Sequence, residues 1–577
     1  MLDQESEASM GRSIGRKAHV RILPMGDVIV AETGASIFGL LGRIGVDTGG
    51  VCGGVGVCHK CLVRFMNEVP EPCGEETAHI PESLLQQGWR LACRHVVRGD
   101  TTIHVPMASH AVQHASPRLS PESSVRLEQL RTQALEGSCQ LSTGAPHWLG
   151  SGSAPPLPAP SNSRQVGLAL DIGTTSIVGR LVDVRSKRVL ADATALNPQS
   201  RHGADVITRI HFVQDDAERN TREMHDLVHQ GIAAVVDRLE NCTDVDRSEI
   251  THIVVVGNPT MLHLFLDICP QSLGHSPYEP VFSDRVVLTA KEARLDVRPD
   301  ARVDLLPGIS GFVGADVVAG ILAIQLGCRR SVPELLLDLG TNGELALWTG
   351  DEILTTSTAA GPAFEAASIS CGMRAVDGAI NRLWVHDGEL AHSVIGDETP
   401  RGLCGSGLVS AVAACRRLGL INPRGRIVRA VEDHSERIAG SGLDARIVLV
   451  NDEVLLTQND IHELQLAKGA IRAGMDIVLV RAGLLVEDLK RITVAGALGA
   501  GLDPADLFEI GLLPASGKHV EIVTPGNTAC AGAVDSVVAP HLLEQADRIA
   551  REARTVKLST DAAFRSAFAR HMMLCRQ

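Results

Sequence analysis

Four cysteines stand in a pattern that can hold an inorganic centre. Cys52, Cys58 and Cys61 fall within CGGVGVCHKC at 52–61, and Cys93 follows in LACRH, 32 positions after Cys61 (93 − 61). Four thiolates so placed bind zinc or an iron-sulfur cluster, and the spacing discriminates between them. Zinc ribbons supply their ligands as two separate CxxC knuckles, whereas here one loop supplies three. Gly53, Gly54 and Gly56 let that loop wrap a bulky centre and aim backbone N–H groups at sulfur. A 2Fe-2S cluster is the expected occupant, with zinc and unligated structural cysteines as alternatives. Cys73, in EPCGEE, lies outside the spacing and is expected to be a spectator.

A second chemistry is written twice. DIGTTS at 171–176 and DLGTNGE at 338–344 each place a carboxylate at a strand end, then a glycine and polar side chains in a tight turn. Such turns expose backbone N–H groups to phosphate oxygens, while the aspartate can hold Mg²⁺ through water. One Asp-x-Gly-Thr also serves as a hairpin turn. Two copies, each after an apolar strand, point to phosphate. Further glycine clusters at 306–316, 358–365 and 402–408 are expected either to line a cleft or to act as turns and helix starts. Cys404 has no neighbouring His or Asp arrangement that would make it a nucleophile. The histidines at 79, 95, 104, 110 and 114 lack metal-ligand spacing and are expected at the surface.

The elements that must position these groups fall into stretches. Residues 18–31 alternate as a hairpin, and SIFGLLGRIG at 36–45 has helical spacing. The cysteine loop follows, then a strand at CLVRF, a helix around PESLLQQGWRLA and a closing strand at TTIHV. Together these make a module over 1–110. Residues 111–165 read as a linker region. It contains an expected short helix at PESSVRLEQLRTQAL and then, over 136–165, five Pro, four Gly and six Ser in thirty residues. That composition cannot bury enough apolar surface to order itself.

Beyond it the chain repeats an α/β unit. VGLALDIGTTSIVGRLVD and ELLLDLGTNGELALWTG are each strand, turn and strand, with Asp171 and Asp338 separated by 167 residues (338 − 171). Each leads through helix to another strand ending in glycine, THIVVVGNPT and KRITVAGALGAG. The expected division is 166–332 and 333–577, two copies facing each other.

Composition excludes several functions. The 577 residues are too many for one core, and 44% hydrophobic with 21% charged residues is ordinary globular composition. A net charge of −14 argues against nucleic-acid or anionic-membrane partners, which demand a basic face. The acidic, polar start MLDQESEASM has no apolar core segment of a secretory signal, and no run is long enough to span a bilayer. The 14 cysteines have no disulfide rhythm, so a cytoplasmic location is expected.

The strand order around the cysteine loop resembles the β-grasp ferredoxin module. Its first gap has one residue more than the plant type, as in vertebrate-type and corrinoid-activator ferredoxins. The paired turns resemble the two phosphate loops of the actin, sugar kinase and heat-shock ATPase superfamily. This implies two RNase H-like α/β lobes closing over ATP. VAGALGAG at 494–501 matches where that superfamily seats adenosine, implicating Gly496, Gly499 and Gly501. From residue 18 to about 575, with SGFVGAD, AAGPAFE and ELQLAKGAI, the chain resembles the reductive activators of corrinoid proteins.

The resemblance implies an ATP-hydrolysing activator. An upstream donor would supply an electron to the 2Fe-2S cluster, which passes it to the Co(II) corrinoid of a methyltransferase protein, restoring Co(I). It implies Asp171 and Asp338 for Mg²⁺ and the hydrolytic water, with Gly173, Thr174, Thr175, Gly340, Thr341 and Asn342 around phosphate. It also implies a homodimer. The rival readings are a sugar or acetate kinase, an activator of another redox enzyme such as a dehydratase, and a nucleotide-gated ferredoxin without turnover.

Overall fold

The computed structural model describes residues 17–23, 28–43, 61–80, 82–105, 165–203, 205–327, 332–366, 369–373, 375, 377–397, 399–428, 436–450, 454–496, 501–515 and 519–574. Cys52, Cys58, Gly499, His110, His114, the side chain of His79 and nearly all of the 111–165 stretch, with its expected short helix, lie outside the description. The chain divides into two units, Met1–Ala108 and Ser109–Gln577.

In the first unit the alternation of KAHVRIL turns Ala18, Val20 and Ile22 inward along β1 (Lys17–Leu23). It forms the expected hairpin with β2 (Val28–Glu32). β3 (Leu62–Phe65), β4 (Trp89–Leu91) and β5 (Thr101–His104) complete a sheet of order β2-β1-β5-β3-β4, with β1 and β5 parallel. Ile37, Leu40 and Leu41 of the helix Ile37–Arg43 fill the core with Val20, Ile22, Val63, Leu91 and Ile103. One helix over a mixed sheet whose first and last strands run parallel is the β-grasp arrangement.

Two expectations are corrected here. The helix expected through PESLLQQGWRLA stops at Gln86, and Trp89–Leu91 is strand. Gly88, at φ +90°, makes the break, because a Cβ there would lie 2.6 Å from the Phe65 carbonyl oxygen. His95 is buried rather than on the surface, with Nε2 2.9 Å from Glu76 Oε1. Glu76 also accepts from the Leu91 and Cys73 N–H groups. Burial alone would raise the Glu76 pKa, but those hydrogen bonds outweigh it and hold the carboxyl below its ordinary value.

The second unit carries the repeat. β6 (Val166–Ile172), β7 (Ser176–Asp183), β8 (Arg188–Leu196), β9 (Ile250–Gly257), β10 (Val286–Thr289) and β11 (Arg302–Leu305) form a sheet of order β10-β11-β9-β6-β7-β8. β12 (Glu334–Leu339), β13 (Gly343–Trp348) and β14 (Ile353–Thr358) open the second copy. Two small sheets follow: β15 (Ala379–His386), β16 (Glu389–Val394) and β17 (Gly402–Leu403), then β18 (Ile438–Ala439), β19 (Arg446–Val448) and β20 (Leu455–Thr457). With β21 (Arg491–Ala495), β22 (Glu521–Gly526) and β23 (Arg554–Thr555) the second large sheet has the order β22-β21-β12-β13-β14-β23. The copies match strand for strand at their centres. β6 and β12 each pair antiparallel with the strand after the Asp-x-Gly-Thr turn and parallel with the strand ending in glycine. The protein is thus a β-grasp module followed by two RNase H-like α/β lobes. Among the described residues, no helix is long and apolar enough to cross a membrane.

The helices Ala315–Ala323 and Thr528–Val538 pack against each other, and the late one lies on β6, β7 and β9. Ala529, Ala533 and Val537 therefore complete the first lobe's core. The approach needs glycine, since a Cβ on Gly532 would fall 1.9 Å from the Ala319 carbonyl oxygen. Gly532→Ala should cost about 3 kcal/mol despite alanine's better helix propensity, because backbone cannot move aside cheaply. Urea unfolding would show this as a lowered midpoint at constant m.

Candidate functional site

Both Asp-x-Gly-Thr segments are tight turns at the end of a central strand. Gly173 N–H donates to the Ser176 carbonyl at 2.9 Å and Gly340 N–H to the Asn342 carbonyl at 2.9 Å. Gly173 is obligatory, since a Cβ would come within 2.7 Å of the Ser176 oxygen. The first turn is held from beneath. Arg209, fully buried, donates to the Thr174 carbonyl, Gln199 Oε1 and the Gly203 carbonyl. Burial lowers its pKa to about 10, so it remains a cation at neutral pH. Asn197 Nδ2 donates to the Gly173 carbonyl at 2.9 Å, and Asn258 Nδ2 to Thr174 Oγ1 at 3.2 Å.

Between the turns the cleft is acidic, with Glu344 buried and Asp171, Asp316 and Asp338 half-buried. Burial raises the Asp171 pKa to about 6, against a 2.7 Å hydrogen bond from Asn527 Nδ2 and the charge of Arg180. Burial and the nearby Asp171 raise Asp316 to about 7, although Val317 N–H donates to it. Burial, Asp316 and Asp171 raise Asp338 to about 7. Burial, Asp316 and Asp338 push Glu344 well above the carboxylate range. Desolvated carboxylates this close, three of them raised in part by like charge, favour a cation. Among the described residues no three His, Cys, Asp or Glu side chains converge at metal-ligand distance.

These shifts fix a pH dependence. An aspartate whose pKa is higher folded than unfolded binds its proton more tightly in the native state, so stability falls as pH rises from about 4 through the folded value. The nucleotide-free protein should therefore melt at a lower temperature at pH 7.5 than at pH 5.5, with Asp171, Asp316 and Asp338 contributing to the drop. Replacing Asp316 and Asp338 by Asn should flatten the profile in scanning calorimetry across that window.

A carboxylate joins the turns. Thr175 Oγ1 donates to Glu365 Oε2, and Thr341 Oγ1 donates to Glu365 Oε1 at 2.8 Å. Gly496, at φ +101°, lies against the second turn, where a Cβ would meet the Leu339 carbonyl at 2.3 Å and Asp338 Oδ1 at 2.9 Å. Its glycine thus has a backbone reason independent of adenosine. Gly501 lies beside Ser406, at the start of the helix Gly405–Arg417. The 306–316 cluster flanks the first turn, since a Cβ on Gly314 would be 2.7 Å from the Asn258 Cα and from Asp316 Oδ1. The 402–408 cluster packs backbones, with Gly407 against the Ile380 carbonyl. Cys404 is buried, its thiol 3.3 Å from Ser406 Oγ.

Asp316, Glu344, Glu365, Arg209, Asn197, Asn258 and Asn527 were not singled out by motif. One signal was available. Gly257-Asn258 and Gly526-Asn527 both end a strand and cap a helix, and each asparagine reaches the first phosphate turn.

In the first unit, pairing of β3 with β4 brings the Ala92 N–H to the Cys61 carbonyl at 2.8 Å, so Cys61 and Cys93 sit at the same end of the sheet. Cys61 is buried and Cys93 half-buried in a short turn of 3-10 helix. Two thiols at one sheet end, one of them shielded, fit two ligands of a four-cysteine centre.

Known proteins resemble both units. Residues 333–577 match the C-terminal domain of RACo, the ASKHA domain, and residues 166–329 match the RACo middle region. The chain is 32% identical over 562 residues to the corrinoid activation enzyme RamQ of Eubacterium limosum, covering 90% of this chain and 93% of that protein. It is 28% identical over 421 residues to the Co(II) methylated amine-specific corrinoid protein reductase of Methanosarcina barkeri, covering 67% and 72%. A 78-residue stretch is 32% identical to a component of the Na(+)-translocating NADH-quinone reductase of Haemophilus influenzae, 14% of this chain and 19% of that one. The solved structure of a reductive activator for a corrinoid, iron-sulfur protein aligns with a TM-score of 0.67 at 28% identity, covering 97% and 98%.

Proposed function

The chain belongs to the RACo family of reductive activators of corrinoid proteins, and from that premise we propose that it returns a Co(II) corrinoid held by a methyltransferase protein to Co(I) at the expense of ATP. The observation that carries this reading is the cleft itself. Two turns built to meet phosphate face a set of desolvated carboxylates, and like charge adds to the raised pKa of Asp316, Asp338 and Glu344.

The residues divide the work. Backbone and hydroxyl groups of Gly173, Thr174, Thr175, Gly340, Thr341 and Asn342 receive the phosphates, and Gly496, Gly499 and Gly501 border the base end. Asp171 and Asp338 would hold Mg²⁺, which would supply charge neutralisation for the phosphates and favour the ionised forms of both side chains, and the same two carboxylates would orient the attacking water. Asn527 fixes the Asp171 carboxylate. In the module of residues 1–110, Cys61 and Cys93, with Cys52 and Cys58, are the ligands of a 2Fe-2S cluster. When bound, that cluster supplies one-electron transfer at a potential that its hydrogen bonds and exposure tune. The stretch 111–165 tethers this module to lobes spanning 166–332 and 333–577. An upstream electron donor, a homodimer and a cytoplasmic setting belong to the same reading and rest on resemblance to the family and on cysteine usage.

ATP helps reduction only through differential affinity. Its bound form must prefer the complex in which Co(II) is easier to reduce. The corresponding experiment measures phosphate release with and without the Co(II) corrinoid protein. Turnover that rises on adding the partner supports the activator, whereas tight nucleotide binding with no turnover in its presence would mean a gated ferredoxin.

A further inference from the structure

We propose that Glu365 acts as an internal anion that occupies the phosphate-accepting hydroxyls of both turns until nucleotide displaces it. This inference rests on the nucleotide-cleft reading above. Thr175 belongs to the first lobe's turn and Thr341 to the second's, and each donates its hydroxyl to a different oxygen of the one carboxylate. A threonine hydroxyl has a single hydrogen to donate. Neither can therefore donate to Glu365 and to a phosphate oxygen at once, so nucleotide that takes these hydroxyls must displace the carboxylate.

The segment carrying Glu365 is built to hold the side chain there and still release it. Ala363 and Phe364 are buried and anchor the short turn Pro362–Glu365 in the second lobe's core. Gly361 at φ +76° and Ala366 at φ +58° bracket it. The left-handed region is unfavourable for alanine, so the chain accepts a local cost to present this carboxylate. Because Phe364 fixes the backbone, a rotation of the Glu365 side chain alone frees both threonines. With the hydroxyls turned to phosphate, the Glu365 carboxyl is left without those donors and beside the phosphates, which opposes binding. The bridge thus favours the nucleotide-free cleft with both turns engaged, and nucleotide binding must compete with it.

Two effects of opposite sign follow for Glu365→Ala. The nucleotide-free protein should melt at a lower temperature, because the hydroxyls of Thr175 and Thr341 lose their shared acceptor. Affinity for a non-hydrolysable Mg-ATP analogue should tighten about tenfold, equivalent to about 1.4 kcal/mol. Glu365→Gln should also bind more tightly than wild type, since it removes the charge while keeping the shape. A residue with a structural role alone, or one that directly aids nucleotide, would give unchanged or weaker binding in both variants, and that result overturns the proposal. Wild-type protein in the same calorimetric titration separates the premises. If wild type binds nucleotide and the variants bind no better, only the Glu365 assignment fails; if none of the three binds, the cleft reading fails with it.

Discussion

Replacing Cys61 by Ser should abolish Co(I) formation while leaving ATP hydrolysis intact. The thiol is buried beside the strand pairing that also brings in Cys93, so on the proposed assignment the variant would lose a ligand at the shielded end of the centre. A serine hydroxyl stays protonated at neutral pH and is a poor match for iron, whereas a coordinated thiol ionises. Visible absorbance and iron content should fall sharply after reconstitution, and electron delivery should drop to background. The phosphate turns belong to the other unit, so basal phosphate release should change less than about twofold. A variant that still yields Co(I) at the wild-type rate would remove Cys61 from the electron route.

Asp338→Asn should produce the mirror phenotype, with the cluster intact and hydrolysis lowered roughly 10²–10⁴-fold, the range for loss of a positioned acid-base group. The stability of this variant carries a second sign. Asp338 is half-buried at the end of its strand, and desolvation, Asp316 and Asp171 disfavour its ionised form. The neutral amide has nearly the same shape and removes that repulsion, so the nucleotide-free variant should be at least as stable as wild type at pH 7.5. Lower activity together with a higher melting temperature separates a functional carboxylate from a structural one. A variant that is both inactive and less stable would point to a packing role.

The repeat was legible because an apolar strand ending in Asp-x-Gly-Thr, written twice in one order, is hard to reach by turn formation alone, and both sheets are centred on the strands that carry Asp171 and Asp338. Glycine patterns carry two signals at once. Gly496 has a packing reason, the Leu339 carbonyl 2.3 Å from its would-be Cβ, and in sequence such a constraint and a nucleotide motif look alike. The carboxylates Asp316 and Glu365 were hidden because their roles depend on tertiary approach. Each ends a glycine cluster whose sequence fits a cleft lining and a plain turn equally well until the lobes are assembled. His95 was misplaced for the same reason. Its partner Glu76 lies 19 residues earlier, on another element, and no local spacing records the pair. Trp89–Leu91 became strand because register with β3 overrode a helical pattern that Gly88 already interrupts.

Nucleotide chemistry in the cleft should be what drives an electron onto the corrinoid. The most direct measurement follows the Co(I) absorbance of a Co(II) corrinoid methyltransferase subunit mixed without oxygen with the chemically reduced protein, with and without Mg-ATP. Co(I) should appear only with Mg-ATP, and should be absent with Cys61→Ser and with Asp338→Asn. Co(I) forming equally without nucleotide, or failing to form with an intact cluster and active hydrolysis across several such subunits, would contradict the account.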